Sequence, residues 1–179
     1  MSSRPPRILI YLLRRDLRLA DNPVLHALTT QQAGAAPFTH VLPVYVVSAE
    51  QVEVAGFLRP GAKSPYPEAR SLVAGFWRCG HHRAKFLAES LWDLKTALAK
   101  AGSGLEIRIG MLADVVGDML AWYNGAEDED KERGCVAGVW MTADEGVEET
   151  REEREVRRVA EKNNVAFKLW ADEKFFVDE

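Results

Sequence analysis

Apolar residues along this chain fall into two spacings, and the switching between them outlines a fold. Ile8 to Leu13 (ILIYLL) is apolar at every position and rich in branched and aromatic side chains. A strand buried on both faces reads this way, as parallel strands do. His40 to Val47 (HVLPVYVV), Leu105 to Ile109 (LEIRI), Cys135 to Met141 (CVAGVWM) and Val165 to Trp170 (VAFKLW) read as four further strands. Pro43 has no N–H for a sheet ladder, so it is expected near its strand's start or at a local irregularity. Between the strands the apolar period changes to three and four. Asn22 and Pro23 suit the N-cap and first position of a helix that turns Val24, Leu25 and Leu28 inward. Ala84, Leu87, Leu91, Leu94 and Leu98 make one stripe of a helix from about His81 to Lys100, closed by Gly102. Leu112, Val115, Val116, Met119, Leu120 and Tyr123 place another helix, and residues 148–163 form a charged one.

This alternation predicts an α/β fold: a five-stranded parallel, doubly wound, Rossmann-like sheet in a single domain over residues 6–178. Right-handed crossovers cover both faces of such a sheet, and ligands sit beyond the carboxyl ends of its strands. Residues 49–80 carry seven glycines and prolines, and so long a connection in a compact domain is usually functional or flexible. Residues 124–134 read as a solvated charged loop and 171–179 as an exit segment.

Composition narrows the chemistry. The 179-residue chain has a net charge of −4, which gives no electrostatic footprint for tight nucleic-acid binding by this segment alone. Its two cysteines, Cys79 and Cys135, form no C-x-x-C pair and no disulfide framework, so a reducing, intracellular setting is expected. No apolar run reaches the roughly 18 residues of a membrane span. No G-x-G-x-x-G follows the first strand and no P-loop is present, which argues against a dinucleotide-dependent dehydrogenase. The "GSG" at 102–104 precedes a strand and is a decoy. "CGHH" at 79–82 lacks the further ligands a zinc site needs, so no metal is expected. Most of the five tryptophans fall in strands or helices, where core packing is the default reading.

Two charged stretches stand at the ligand edge. Arg14, Arg15, Asp16 and Arg18 follow the first strand. Arginine suits phosphate or carboxylate partners because its planar fork donates paired hydrogen bonds. A solvated turn with Asp16 paired locally explains the same residues on composition alone. Glu145, Glu148 and Glu149 follow the fourth strand. A carboxylate there can accept from a heterocycle's amino and ring N–H groups, or simply complement a helix dipole.

The opening ILIYLLRRDLRLADNPVLHAL resembles that of the photolyase/cryptochrome family, whose first strand runs into R-x-D-L-R-x-x-D-N, here Arg14, Asp16, Leu17, Arg18, Asp21 and Asn22. VLPVYVV is similar to the family's second strand. The helix with Arg83, Phe86, Leu87, Glu89, Ser90, Asp93 and Leu94 resembles the R-x-x-F-L-x-E-S-x-x-D-L helix of the cryptochrome DASH branch. The resemblance implies an N-terminal α/β domain next to a larger helical domain that holds FAD, contacts DNA and repairs cyclobutane pyrimidine dimers or serves photoreception. It also implies an antenna pigment, commonly methenyltetrahydrofolate, in the cleft between the two. Glu149 matches the folate-binding glutamate best, with Glu148 as the alternative register. Arg14, Arg15, Asp16 and Arg18 are expected to make inter-domain links or to support the pigment cleft. The chain stops at Glu179, where the helical domain should follow, so no FAD contact and no catalytic residue is carried over. A monomer without DNA repair of its own, binding folate weakly, is the expectation. A free-standing nucleotide-binding domain of the stress-protein or electron-transfer-flavoprotein kind is the alternative.

Overall fold

A computed structural model describes residues 5–30, 37–125 and 134–171. All but the first residue of the expected exit segment, and most of the charged loop, lie outside them. The elements run β1 (Arg7–Leu13), α1 (Pro23–Thr30), β2 (His40–Ser48), a 3-10 turn (Ala55–Phe57), α2 (His81–Lys100), β3 (Glu106–Gly110), α3 (Leu112–Asn124), β4 (Cys135–Thr142), α4 (Val147–Lys162) and β5 (Ala166–Trp170). All four strand pairings are parallel, in the order β3-β2-β1-β4-β5.

β1 is central, and its two parities feed two cores. Ile8, Ile10 and Leu12 pack with Val44, Val46, Val139 and Met141 under Leu112, Val116 and Leu120 of α3 and Val156 and Ala160 of α4. Leu9, Tyr11 and Leu13 pack with Trp140 under Val24 of α1 and Leu91, Leu94 and Leu98 of α2. Continuous apolarity in β1 follows from that double burial. Pro43 sits inside β2, opposite Tyr11 of β1. β3 joins β2 only from Val44 onward, so Pro43 lies where one flank of the strand is open and the missing donor costs least.

Helix ends obey local chemistry. The Asn22 side-chain oxygen accepts from the amides of Val24 and Leu25, each at 3.0 Å, and its amide group donates to the Tyr11 hydroxyl at 2.8 Å. Gly102, at φ +77°, closes α2: its amide donates to Ala99 and that of Ser103 to Leu98. These two bonds are the paired closure of a Schellman motif, in which the left-handed position favours glycine.

The tryptophans depart from the core reading. Trp140 is buried, but Trp77, Trp92 and Trp122 are exposed. Trp92 directly follows Leu91 in α2, about 100° around the helix from the buried stripe. Trp77 lies in the long connection, with the Arg70 guanidinium 3.6 Å from its ring centre.

Asn22 thus serves as both cap and buried hydrogen-bond donor. Asn22→Ala should lower stability by about 1–2 kcal/mol, checked by urea denaturation of both chains.

Candidate functional site

With β1 beside β4 and all strands parallel, the exit of β1 and the start of α4 meet at one edge. From β1 the chain builds outward to β2 and β3, then returns to β4 on the other side. A crevice is left at such a switch point.

Arg14, the first residue past β1, turns inward. Its guanidinium donates to Glu153 at 2.8 Å and to Glu152 at 2.9 Å, and only 8% of its side chain is exposed. Glu153 also accepts from the Asp144 amide at 2.8 Å, which ties the β4–α4 loop to the same group. Arg15, by contrast, is 62% exposed and reaches Glu149, with Asp144 at 3.8 Å. Glu149 and Glu148 stand in the first turn of α4, where the helix dipole favours acids. The Glu149 carboxylate folds back over Gly146, and a Cβ at that position would collide with it. Glu148 accepts from Gln51 at 2.9 Å and pairs with Arg78, both on the long connection.

These groups enclose a cleft of about 100 Å³. Leu13, Val46, Val52, Leu87 and Leu112 give it apolar walls, and Arg14, Arg15, Tyr45, Cys79, Arg83, Glu148, Glu149 and Glu152 bring polar groups to it. Burial pushes the Tyr45 phenol up, and the nearby Arg83 charge opposes the shift. Burial also pushes the Glu152 carboxyl up, against the lowering effect of Arg14. A wider hollow of about 480 Å³ lies against α3 beside β3, lined by residues including Leu42, Trp122 and Tyr123. Its charged lining is Glu106, Arg108 and Asp118, against three guanidinium groups and three carboxylates in the cleft at the strand ends.

Arg14, Arg15, Glu148 and Glu149 therefore surround one cleft, although Arg14 is spent on carboxylates of its own domain. Asp16 and Arg18 are not among its lining residues. They pair with each other at 2.8 Å within the turn after β1. Among the described residues, no group of three or more His, Cys, Asp or Glu side chains is placed to hold a metal ion. No described helix is long and apolar enough to cross a membrane.

Comparison with known proteins decides the family. The DNA photolyase family model matches residues 9–177. The chain belongs to the DNA photolyase family. Within that family it falls with the cryptochrome DASH branch. It is 46% identical to a putative cryptochrome DASH of Gibberella zeae over 97% of its length, and 43% identical over 98% to a putative mitochondrial cryptochrome DASH of Neurospora crassa. The chain spans about a quarter of the length of these relatives, 24% and 23%. A Synechocystis cryptochrome shares the fold at TM-score 0.66 and 22% identity, covering 96% of this chain and 28% of the other. A Sulfolobus tokodaii photolyase, solved with two FAD molecules, gives 0.60 and 23%, covering 92% and 29%.

Several cleft residues of this photolyase-family domain escaped sequence reasoning. Gln51, Arg78 and Arg83 come from the long connection and the helix after it, whose path no local pattern specifies. Tyr45 had a usable signal, since it lies towards the carboxyl end of β2. Glu152 and Glu153 had another, being three and four residues beyond Glu149 on one helical face.

Two outcomes test the charge array. Arg14→Met should destabilise the chain by about 3 kcal/mol, because it strands two largely buried carboxylates, and guanidinium melts would measure it. The raised Glu152 carboxyl favours the protonated form in the folded chain. Its contribution is therefore full below the ordinary glutamate value of 4.5 and is lost as pH rises through the folded value. The stability of Glu152→Gln relative to wild type should accordingly rise from pH 4 to pH 8 in paired denaturation curves.

Proposed function

We propose that this domain supplies the antenna-pigment cleft and the inter-domain surface of a cryptochrome DASH or photolyase-like blue-light flavoprotein. The observation that carries this reading is the convergence of Glu148 and Glu149 with Arg14 and Arg15 on one cleft at the carboxyl edge of the sheet. Two carboxylates side by side are acceptors for the amino and ring N–H groups of a pterin-like heterocycle, and the leucine and valine walls suit its flat ring. The residues present fit methenyltetrahydrofolate in that respect. When bound, such a pigment collects light for a flavin.

Size limits what the cleft does alone. A volume of about 100 Å³ is far below the roughly 300–1,000 Å³ of ligand pockets. The pigment is therefore held weakly by this domain and enclosed by a second, helical one. Exposed Arg15 is the residue of the first cluster best placed to meet that domain, with Asp16 and Arg18 beside it. FAD, DNA contact and the light-driven repair or signalling step belong to the helical domain in this reading, so the present domain is a light collector rather than the catalyst.

Both carboxylates are held by the chain's own donors: Glu148 by Arg78 and Gln51, Glu149 by Arg15. Binding is thus an exchange of partners. Adding 5,10-methenyltetrahydrofolate to the purified chain should give a saturable near-ultraviolet absorption change. Glu149→Gln should weaken it about tenfold, the loss of one charge-assisted hydrogen bond. Equal affinity in wild type and a Glu148→Gln/Glu149→Gln double variant would sink the reading.

A further inference from the structure

β3 stands at one edge of the sheet, and among the described residues β2 is its only strand neighbour. The Ala49 amide donates to the Gly110 carbonyl at 3.0 Å, so Glu106, Arg108 and Gly110 turn their backbone groups to β2. By strand alternation Ile107 and Ile109 turn theirs to the open edge. Neither helix layer closes over this edge. Ile107 and Ile109, beside Tyr45 and Val47 on the α1–α2 side, are still 36% and 38% exposed. On the α3 side the hollow of about 480 Å³ lies between Glu106 and Arg108 of β3 and the exposed Trp122.

Open edges usually carry charges that resist pairing. Lys168 is the one charge of β5, the other edge strand, and fits that role. The charges of β3 do more, because Glu106-Ile107-Arg108 is complementary to itself. A two-fold axis perpendicular to the sheet sets β3 antiparallel to its own copy, with side chains of like parity opposite each other. With Glu106 or Arg108 on the axis, that residue faces itself, acid to acid or cation to cation. With Ile107 on the axis, each Glu106 faces the other copy's Arg108. One register is favourable and the registers on either side of it are repulsive. The favourable one also makes the two Ile107 residues a hydrogen-bonded pair, each amide donating to the other's carbonyl, since those backbone groups face the edge.

We propose that this edge recognises a second copy of the chain: β3 pairs with β3 antiparallel about Ile107, joining the two five-stranded sheets into one. The Glu106–Arg108 ion pair, 2.7 Å within one chain, is exchanged for two such pairs across the axis. A five-residue edge is a small contact, so the association is weak and depends on concentration. The monomer expected from the sequence is the dilute form of the same equilibrium.

Sedimentation equilibrium of the 179-residue chain from about 10 μM to about 1 mM should show conversion to a dimer, and raised salt should reduce it. Glu106→Arg and Arg108→Glu each place like charges at both outer pairs, and each should weaken self-association about tenfold. A mixture of the two single variants restores opposite charges at both pairs. It should associate as wild type does, which also shows that each variant is folded. The double variant Glu106→Arg/Arg108→Glu should self-associate like wild type. A wild type that stays monomeric at the highest concentration leaves the edge to a different partner and overturns the proposal. So does a dimer that forms equally well in both single variants, or a mixture of them that stays apart.

Discussion

The contact on which this edge of the molecule depends is the Arg14 guanidinium held between Glu152 and Glu153. It joins the exit of the central strand to the second turn of α4, and through Glu153 it also holds the amide of Asp144. Burying these charges is costly by itself, and mutual pairing is what offsets the cost. Once Arg14 is turned inward, Arg15 must point out toward Glu149, and the first turn of α4 is presented to the crevice.

The cleft that results is electrostatically full. Each of its carboxylates is matched by an arginine from a different part of the chain: Arg14 and Arg15 after β1, Arg78 before α2. A ligand gains only the difference between its own bonds and those it replaces. This explains how a cleft with suitable groups can still bind weakly alone, and why enclosure by another surface matters. Removing water strengthens every charge interaction inside. The long connection takes part directly, because Gln51 and Arg78 fasten it to Glu148 while Tyr66 lies against Gly110 at the end of β3.

Much of the architecture was legible along the chain. Continuous apolar runs marked the strands, and the three-and-four spacing of Leu91, Leu94 and Leu98 marked the buried face of α2. Asn22 and Gly102 signalled helix ends because capping depends on atoms a few residues away. Glu148 and Glu149 were legible as edge residues because their distance past β4 fixes which end of the sheet they occupy. The tryptophans were misread because residue type does not say which side of a helix faces the sheet; Trp92 is one position away from being core.

By itself, then, the sequence determined the strands, the helix stripes, the parallel topology and the edge at which the charged residues gather. Each of these follows from hydrophobic period or short-range hydrogen bonding. Only the tertiary structure decided the partners: Arg14 with Glu152 and Glu153, Arg78 with Glu148, Asp16 with Arg18, and Arg83 with none among the described residues. Apart from the local Asp16–Arg18 pair, these pairings join residues some 70 to 139 positions apart. No local pattern encodes which of several similar charges will meet, because that choice is made by how the packed elements place them in space.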